Sequence, residues 1–161
     1  MSKRFIGMDL SLCETGLVIL NENVRMTETK IIKTTSKDVI ESRFDIILES
    51  LDFIKDFDNI EMVHVEGLAL NTKNAKKFEM GALHHMVRFM LYKECIQFSV
   101  IGPKVLKKWM TGNGNASKDL MKDVCHERFG IRFKNDNLCD AYGLAAMALE
   151  NYLRGNKNVD E

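Results

Sequence analysis

The chain has 161 residues, of which 45% are hydrophobic and 29% charged, the profile of one globular domain with a real core and not of a disordered tail. No apolar run approaches the ~18 residues of a membrane span, and the N-terminus lacks the apolar stretch and small-residue cleavage site of a signal peptide, so neither is expected and a cytoplasmic location follows. The 23 basic and 23 acidic residues cancel, yet residues 1–70 carry 8 Lys/Arg against 13 Asp/Glu, residues 71–134 carry 13 against 5, and residues 135–161 carry 2 against 5.

That basic middle is either an electrostatic footprint for nucleic acid or a solvated lysine-rich helix face. One proline, Pro103, leaves no Pro-rich linker. The expected organisation is a single domain over residues 1–155 with a disordered tail over 156–161. Cys13, Cys95, Cys125 and Cys139 are far apart and form no C-x-x-C pair. They read as buried thiols in a reducing compartment, not as a zinc site.

Residues 4–10 predict a strand that ends near Asp9, and residues 15–20 a second, joined by a hairpin-length connection. Residues 24–33 predict a third strand. Ser36 is the expected N-cap of a helix to about residue 58, in which Phe44, Ile47, Leu48, Leu51 and Ile54 keep a helical period. Residues 60–66 form a strand that again ends on an acid, Glu66. Residues 73–95 suit a long helix that is apolar nearly all round from Phe78 to Leu91 and so needs cover on more than one side. Residues 97–101 predict a fifth strand, Pro103 the opening of a short helix, and residues 111–115 a loop. Ser117 then caps a helix to about Phe129, with Gly130 as its stop, and a last helix runs from about Asp136 to Leu153. Three strands spaced for an antiparallel meander, followed by strands alternating with helices, predict a mixed sheet with helices on both faces.

Asp9 and Glu66 each end an apolar strand, and α/β proteins place ligands in crevices at such strand ends. Asp136 and Asp140 lie four apart and share a helix face, with Asp140 at the head of an apolar run. An acid there is expensive to bury alone. Together these carboxylates repel one another unless a divalent cation sits among them, and hard oxygen ligands suit Mg²⁺ or Mn²⁺. Two such ions fit in-line phosphodiester hydrolysis. Taken singly, Asp9 also reads as a turn residue, Glu66 as a surface acid and Asp136 as an N-cap.

Gly7-Met8-Asp9 followed by Thr15-Gly16, Val65-Glu66, Asp140-Ala141, and Lys107 and Lys118 bracketing Gly112 and Gly114 resemble the RuvC-type Holliday junction resolvases. The resemblance runs over nearly the whole chain, and the short, Lys/Asn/Ile/Met-rich sequence looks more like a bacteriophage version than a cellular one. It implies an α/β, ribonuclease H-like fold: a mixed five-stranded sheet, three strands antiparallel then two parallel, with helices on both faces. It implies a homodimer that nicks branched DNA, above all four-way (Holliday) junctions, with two Mg²⁺ ions per site or Mn²⁺ in their place. Asp9, Glu66 and Asp140 match the family's metal-binding acids, and Lys107 and Lys118 its basic residues near the scissile phosphate. Lys118 is also placed in catalysis, and Lys73, Lys76, Lys77, Lys104 and Lys108 join these two as candidate DNA contacts.

The chain departs from the family in two places. The position three before Asp140 is Asn137 where the family has an acid or histidine, and Asp136 lies one residue earlier. Asp136 is preferred as the fourth ligand because its charge binds a hard cation better, with Asn137 as the alternative. Ala69 stands where the cellular enzymes carry a junction-opening aromatic. Phe78 is assigned to the core, with that wedge role as the alternative.

His64 reads as a core or edge residue. His84 and His85 read as ordinary helix histidines, Met80, Met86 and Met90 as packing, and Trp109 as either core or a base-stacking ring. The apolar surplus of the 73–95 helix predicts the dimer contact. The rival readings are a non-catalytic branched-DNA binder, an ATPase or kinase-like phosphate binder of the same fold, and a ribosomal-RNA-processing nuclease of related fold.

Overall fold

The computed structural model describes residues 2–68 and 76–157. In chain order the elements are β1 (Arg4–Asp9), β2 (Glu14–Asn21), β3 (Met26–Lys33), α1 (Ile40–Leu51), a 3₁₀ turn (Asp52–Asp56), β4 (Ile60–Glu66), α2 (Lys76–Lys93), β5 (Phe98–Ile101), α3 (Pro103–Thr111), α4 (Lys118–Phe129) and α5 (Asp136–Lys157). The sheet order is β3-β2-β1-β4-β5, antiparallel from β3 to β1 and parallel from β1 to β5. This is the expected mixed ribonuclease H-like arrangement.

Strand parity decides which helices cover which face. Ile6, Met8, Leu17, Ile19, Val63 and Val65 point into one core, completed by Ile47 and Leu51 of α1 and by Leu83, Val87 and Leu91 of α2. Val18 and Leu20 point to the other, filled by α3, α4 and α5 through Leu106, Met110, Met121, Tyr142 and Leu144. Both faces of β1 and β2 are therefore buried, which explains why those strands read as unbroken apolar runs.

Several boundaries differ from expectation. Ser36 does not cap α1. The Thr35 hydroxyl and carbonyl accept hydrogen bonds from the N–H groups of Lys37 and Asp38 at 3.2 Å each, making a turn, and the helix starts after the extended Val39. Its last turn tightens into the 3₁₀ segment. Helix α5 continues to Lys157, two residues into the expected tail, with an Arg154–Glu150 ion pair on its last turns. Ser117 does cap α4, accepting from Leu120 N–H at 3.2 Å, and the left-handed Gly130 (φ 73°) ends it. Only Cys125 and Cys139 are buried; Cys13 sits in the β1–β2 connection and Cys95 in the left-handed turn that closes α2, both exposed.

Helix α2 buries Leu83, His84, Val87 and Leu91, while Met86, Phe89 and Tyr92 are exposed. Its apolar surplus thus finds cover on one side only within this chain. Phe78 is 85% exposed and does not join the core, because the buried face of α2 begins near Met80 and Phe78 lies off it. Trp109 packs in the second core, stacked on Phe129 with Arg128 over its ring.

The β1–β2 connection that follows Asp9 is held from two sides. Buried Thr15 donates to the Ser11 carbonyl at 2.8 Å and accepts from its N–H at 3.0 Å. Buried Arg43 of α1 donates to the Leu12 carbonyl at 2.7 Å and to the Thr34 hydroxyl at 3.0 Å. Arg43→Ala removes the guanidinium donors from the Leu12 carbonyl, which keeps only the Thr34 hydroxyl, and from Thr34 Oγ1. It is expected to cost ~2–3 kcal/mol in urea denaturation, and a loss under ~0.5 kcal/mol would show that the guanidinium does not staple the connection.

Candidate active site

The same parity argument places the acids. Phe5 and Gly7 of β1 face α5, so Asp9 faces it too; His64 of β4 faces α5, with the Leu144 backbone on its ring, so Glu66 does as well. Strands β1 and β4 are parallel neighbours paired through Met8 and Val65. Asp9 and Glu66 are the next residues on each, and their side chains hydrogen-bond to one another.

Helix α5 is brought over them by two glycines. A Cβ on Gly7 would fall on the Ala141 carbonyl oxygen and within 2.6 Å of Ala145 N, and one on Gly16 would lie 2.5 Å from the Asn137 carbonyl oxygen. Backbone-to-backbone approach of this kind seats Asp140 over the ends of β1 and β4, where its charge is felt by Asp9. Asp9 and Glu66 are therefore adjacent, and Asp140 lies near enough for its charge to act on Asp9 and for the Glu66 charge to act on it.

Their electrostatics follow from burial. Asp9 is 8% exposed. Desolvation, with the Glu66 charge adding to it, pushes the Asp140 carboxyl up to about 7. Desolvation likewise lifts Glu66 to about 8, helped by the charge of Asp9 and the bond between them. Asp9 rises to about 6 through burial, while the hydrogen bond from Glu66 favours its ionised form. Burial raises both carboxyls, so the pair retains a proton to higher pH than isolated carboxyls do. Lys118 acts against the repulsion at all three carboxylates, and Lys107 at Glu66 and Asp140.

The fourth acid is engaged elsewhere. Asp136 pairs with Lys122 at 2.7 Å and with Lys118 at 3.0 Å, which holds its carboxyl below the usual range. Asn137 donates to the Glu14 carbonyl at 2.7 Å and to the Glu14 carboxylate at 3.3 Å, tying α5 to β2. Lys122 was missing from the predicted set. The available signal was its position four residues after Lys118, on the same face of α4.

Among the described residues no group of three or more His, Cys, Asp or Glu side chains is already arranged to hold a metal ion. Asp9 and Glu66 face one another at the ends of adjacent strands and Asp136 pairs with Lys118 and Lys122. The donor chemistry nevertheless fits a hard divalent cation: oxygen-only ligands, Asp9 buried and Glu66 and Asp140 half-buried, each with a raised carboxyl pKa, that a cation would relieve of their repulsion.

Of the other predicted lysines, Lys76, Lys104 and Lys108 are exposed and Lys107 half-buried, while Lys77, also exposed, lies beside Glu66 along one cleft. Lys73, like Ala69, lies outside the described residues. His64 and His84 are buried, and burial lowers both below the usual imidazole pKa, His84 to about 4. No described helix is long and apolar enough to cross a membrane.

The family model described as crossover junction endodeoxyribonuclease RuvC matches residues 5–152. Among curated relatives, the RuvC of Neorickettsia sennetsu is 26% identical over 153 residues, covering 91% of this chain and 92% of that one. The RuvC of Brachyspira hyodysenteriae is 26% identical, covering 87% and 89%. Among solved structures, Thermus thermophilus RuvC in complex with a Holliday junction substrate superposes with a TM-score of 0.79 at 19% identity, over 95% of this chain and 96% of that one. The yeast mitochondrial Holliday junction resolvase Ydc2 gives 0.62 at 14% identity, over 98% and 84%. With the strand-end carboxylates in place and the family model spanning nearly the whole sequence, the chain belongs to the RuvC family of crossover junction endodeoxyribonucleases.

Proposed function

We propose that this protein is a divalent-metal-dependent endonuclease that nicks four-way DNA junctions, and by the looser fit of a wedge-position alanine, other branched DNA. The convergence of Asp9, Glu66 and Asp140 at one end of the sheet, between Lys107 and Lys118, carries the reading. Nucleases of this family generally depend on divalent metal ions. Asp9, Glu66 and Asp140 would hold two Mg²⁺ ions, with Mn²⁺ able to substitute. Asp136 is the fourth acid of the set, and a cation beside Asp140 competes with Lys118 and Lys122 for it. The bound ions would supply an activated water and stabilise the leaving 3′ oxygen.

The protein's own groups do the rest. Asp9 and Glu66 must give up their shared proton for the site to fill, so loading is favoured as pH rises. Lys118, near the start of α4, stands where a phosphate meets both its ammonium group and the free N–H groups of the first turn. Its release from Asp136 makes it available to the scissile phosphate. Lys107 faces the same point from α3, and Lys76, Lys77, Lys104 and Lys108 extend the positive surface that holds the DNA arms. Lys73 belongs to that set by sequence alone.

The test is cleavage of a synthetic four-way junction. With Mg²⁺, paired nicks on opposed strands are expected, and EDTA is expected to stop them. Tight binding without any nick would make the protein a junction binder instead. Changing Lys107 and Lys118 together to Gln is expected to slow cutting and to lower the slope of log affinity against log salt by ~1–2. An unchanged slope would remove both lysines from the phosphate contact.

Two-fold nicking needs two sites, and the uncovered face of α2 is the proposed contact between copies. Phe89→Lys with Tyr92→Lys is expected to turn a dimer into a monomer in sedimentation equilibrium, and a monomeric wild type would refute the contact.

A further inference from the structure

The start of β2 grips the start of α5. Glu14 and Gly16 lie two apart on the strand and so share a face. Gly16 lets the Asn137 main chain come close, since a Cβ there would fall 2.5 Å from its carbonyl oxygen. Glu14 holds the side chains around that point. Its carboxylate accepts from the Asn135 side-chain amide and, at 3.3 Å, from that of Asn137, and its main-chain carbonyl accepts from the Asn137 amide at 2.7 Å. The Lys33 ammonium, opposite on β3, pairs with the second carboxylate oxygen at 3.3 Å. The Asn135 side-chain oxygen caps α5, accepting from Leu138 N–H at 3.0 Å.

We propose that Glu14 is a positioning residue of the nuclease: by gripping Asn135 and Asn137 it fixes the first turn of α5, and so sets where Asp140 stands relative to Asp9. This rests on the nuclease reading above. The two ends of an asparagine amide have the same shape and differ only as donor and acceptor. A carboxylate accepts and does not donate, so it turns both NH₂ groups toward β2 and leaves the Asn135 oxygen to the cap. Glu14 also belongs to the chain that follows Asp9, where its own N–H donates to Ser11 Oγ at 3.4 Å. One residue thus ties the connection after Asp9 to the helix that carries Asp140.

The grip matters for the site more than for the fold. From Ala141 to Leu149 helix α5 is buried, and that packing holds it on the sheet without Glu14. Asp140 is the residue just before the packed run, where the first turn decides its orientation. The charges acting on Asp140 are those of Glu66, Lys118, Lys107 and Asp136, so Glu14 reaches it through the helix and not directly. Loss of a partner that orients metal-binding groups weakens metal affinity ~10–100-fold with every ligand still present.

The test uses the full chain. Mn²⁺ binding is followed by electron paramagnetic resonance without DNA, and junction nicking is titrated with Mg²⁺. Glu14→Ala is expected to weaken Mn²⁺ binding roughly ten-fold and to raise the Mg²⁺ needed for half-maximal nicking to match, with a urea midpoint close to that of the wild type. Glu14→Gln keeps an acceptor oxygen and is expected to recover most of the Mn²⁺ affinity. Asn135→Asp keeps a capping oxygen but sets one carboxylate against another, and is expected to reproduce the Glu14→Ala defect. Adding Glu14→Gln to Asn135→Asp supplies a donor again and is expected to restore binding. A Glu14→Ala variant that binds Mn²⁺ like the wild type overturns the proposal, whether or not its urea midpoint falls; a fallen midpoint would make Glu14 a stability residue only. Equal losses in Glu14→Ala and Glu14→Gln also overturn it, by giving the effect to the charge and not to the grip. A wild type that binds Mn²⁺ but cuts no branched DNA would instead sink the nuclease reading, and the Mn²⁺ comparison would still decide what Glu14 orients. A wild type that binds no Mn²⁺ overturns both.

Discussion

Asp140→Asn and Asp9→Asn are each expected to reduce junction cutting at least ~10³-fold while making the metal-free protein more stable at pH 8. The two effects have one cause. Asp9 is buried and Glu66 and Asp140 are half-buried, and desolvation holds their folded pKa values above those of an unfolded chain, at about 7 for Asp140 and about 8 for Glu66. A folded carboxyl with a raised pKa binds more protons than its unfolded counterpart, so stability falls as pH rises through that range. The buried His64 and His84 act oppositely, since their lowered pKa values make stability rise with pH, but that contribution is complete by about pH 6.5. Between pH 6.5 and 8 the carboxyls are therefore the groups to watch.

In EDTA, the wild-type melting temperature is expected to fall across that window and to fall less in Asp140→Asn, with a difference on the order of 2 kcal/mol at pH 8. Mg²⁺ should recover the loss in the wild type and recover little in the variant, because ligand binding stabilises only the state that can bind it. A wild-type profile flat from pH 6.5 to 8 in EDTA, or equal Mg²⁺ stabilisation of both proteins, would mean that the three carboxyls do not share one site.

Gly7→Ala is expected to be the most damaging single-methyl change in the protein, costing ~3 kcal/mol or more and appearing as insoluble or partly unfolded material. The added carbon would collide with the Ala141 carbonyl and lie 2.6 Å from Ala145 N. Both are main-chain atoms of a buried helix, so no rotamer change relieves the clash. Helix α5 would have to lift from β1, which would also carry Asp140 away from Asp9. Gly81 is the internal control: nothing lies within 4 Å of a Cβ there, and it sits inside α2. Gly81→Ala should raise stability by ~0.5–1 kcal/mol through helix propensity. Urea midpoints of the two variants decide the matter, and near-equal values would show that α5 does not press on β1 as closely as described.

Much of this site is legible in the chain because its informative residues sit on short periods. Unbroken apolar runs along β1 and β2 report burial on two faces, and a strand that ends on an acid reports a crevice. The four-residue spacing of Asp136 and Asp140 reports a shared helix face. Cap chemistry succeeded at Ser117 and Gly130, where the signal is local, and failed at Ser36, where Thr35 captured the same backbone first.

Proximity across the fold was not legible in the same way. Gly7 and Gly16 look like ordinary strand glycines in sequence, and only the approach of α5 explains them. Phe78 has the composition of a core residue but lies off the buried face of its helix, since its placement depends on a few degrees of helix rotation about α2. Asp136 carries the right charge for a cation and yet faces Lys118 and Lys122, because α4 packs near α5, a neighbour that no spacing within α5 could reveal.

The amino-acid order by itself determined the strands, the helices, the identity of the acids and the basic middle, since each depends on propensity, periodicity or charge within a few residues. The tertiary structure alone decided that Asp9 and Glu66 end adjacent strands within reach of the Asp140 charge while Asp136 pairs with two lysines. The acids' surroundings are set by contacts across the fold, between Asp9 and Glu66 57 positions apart and between Asp136 and lysines 14 and 18 positions away on α4, and the free energy of a charge depends on those contacts more than on its immediate neighbours in the chain.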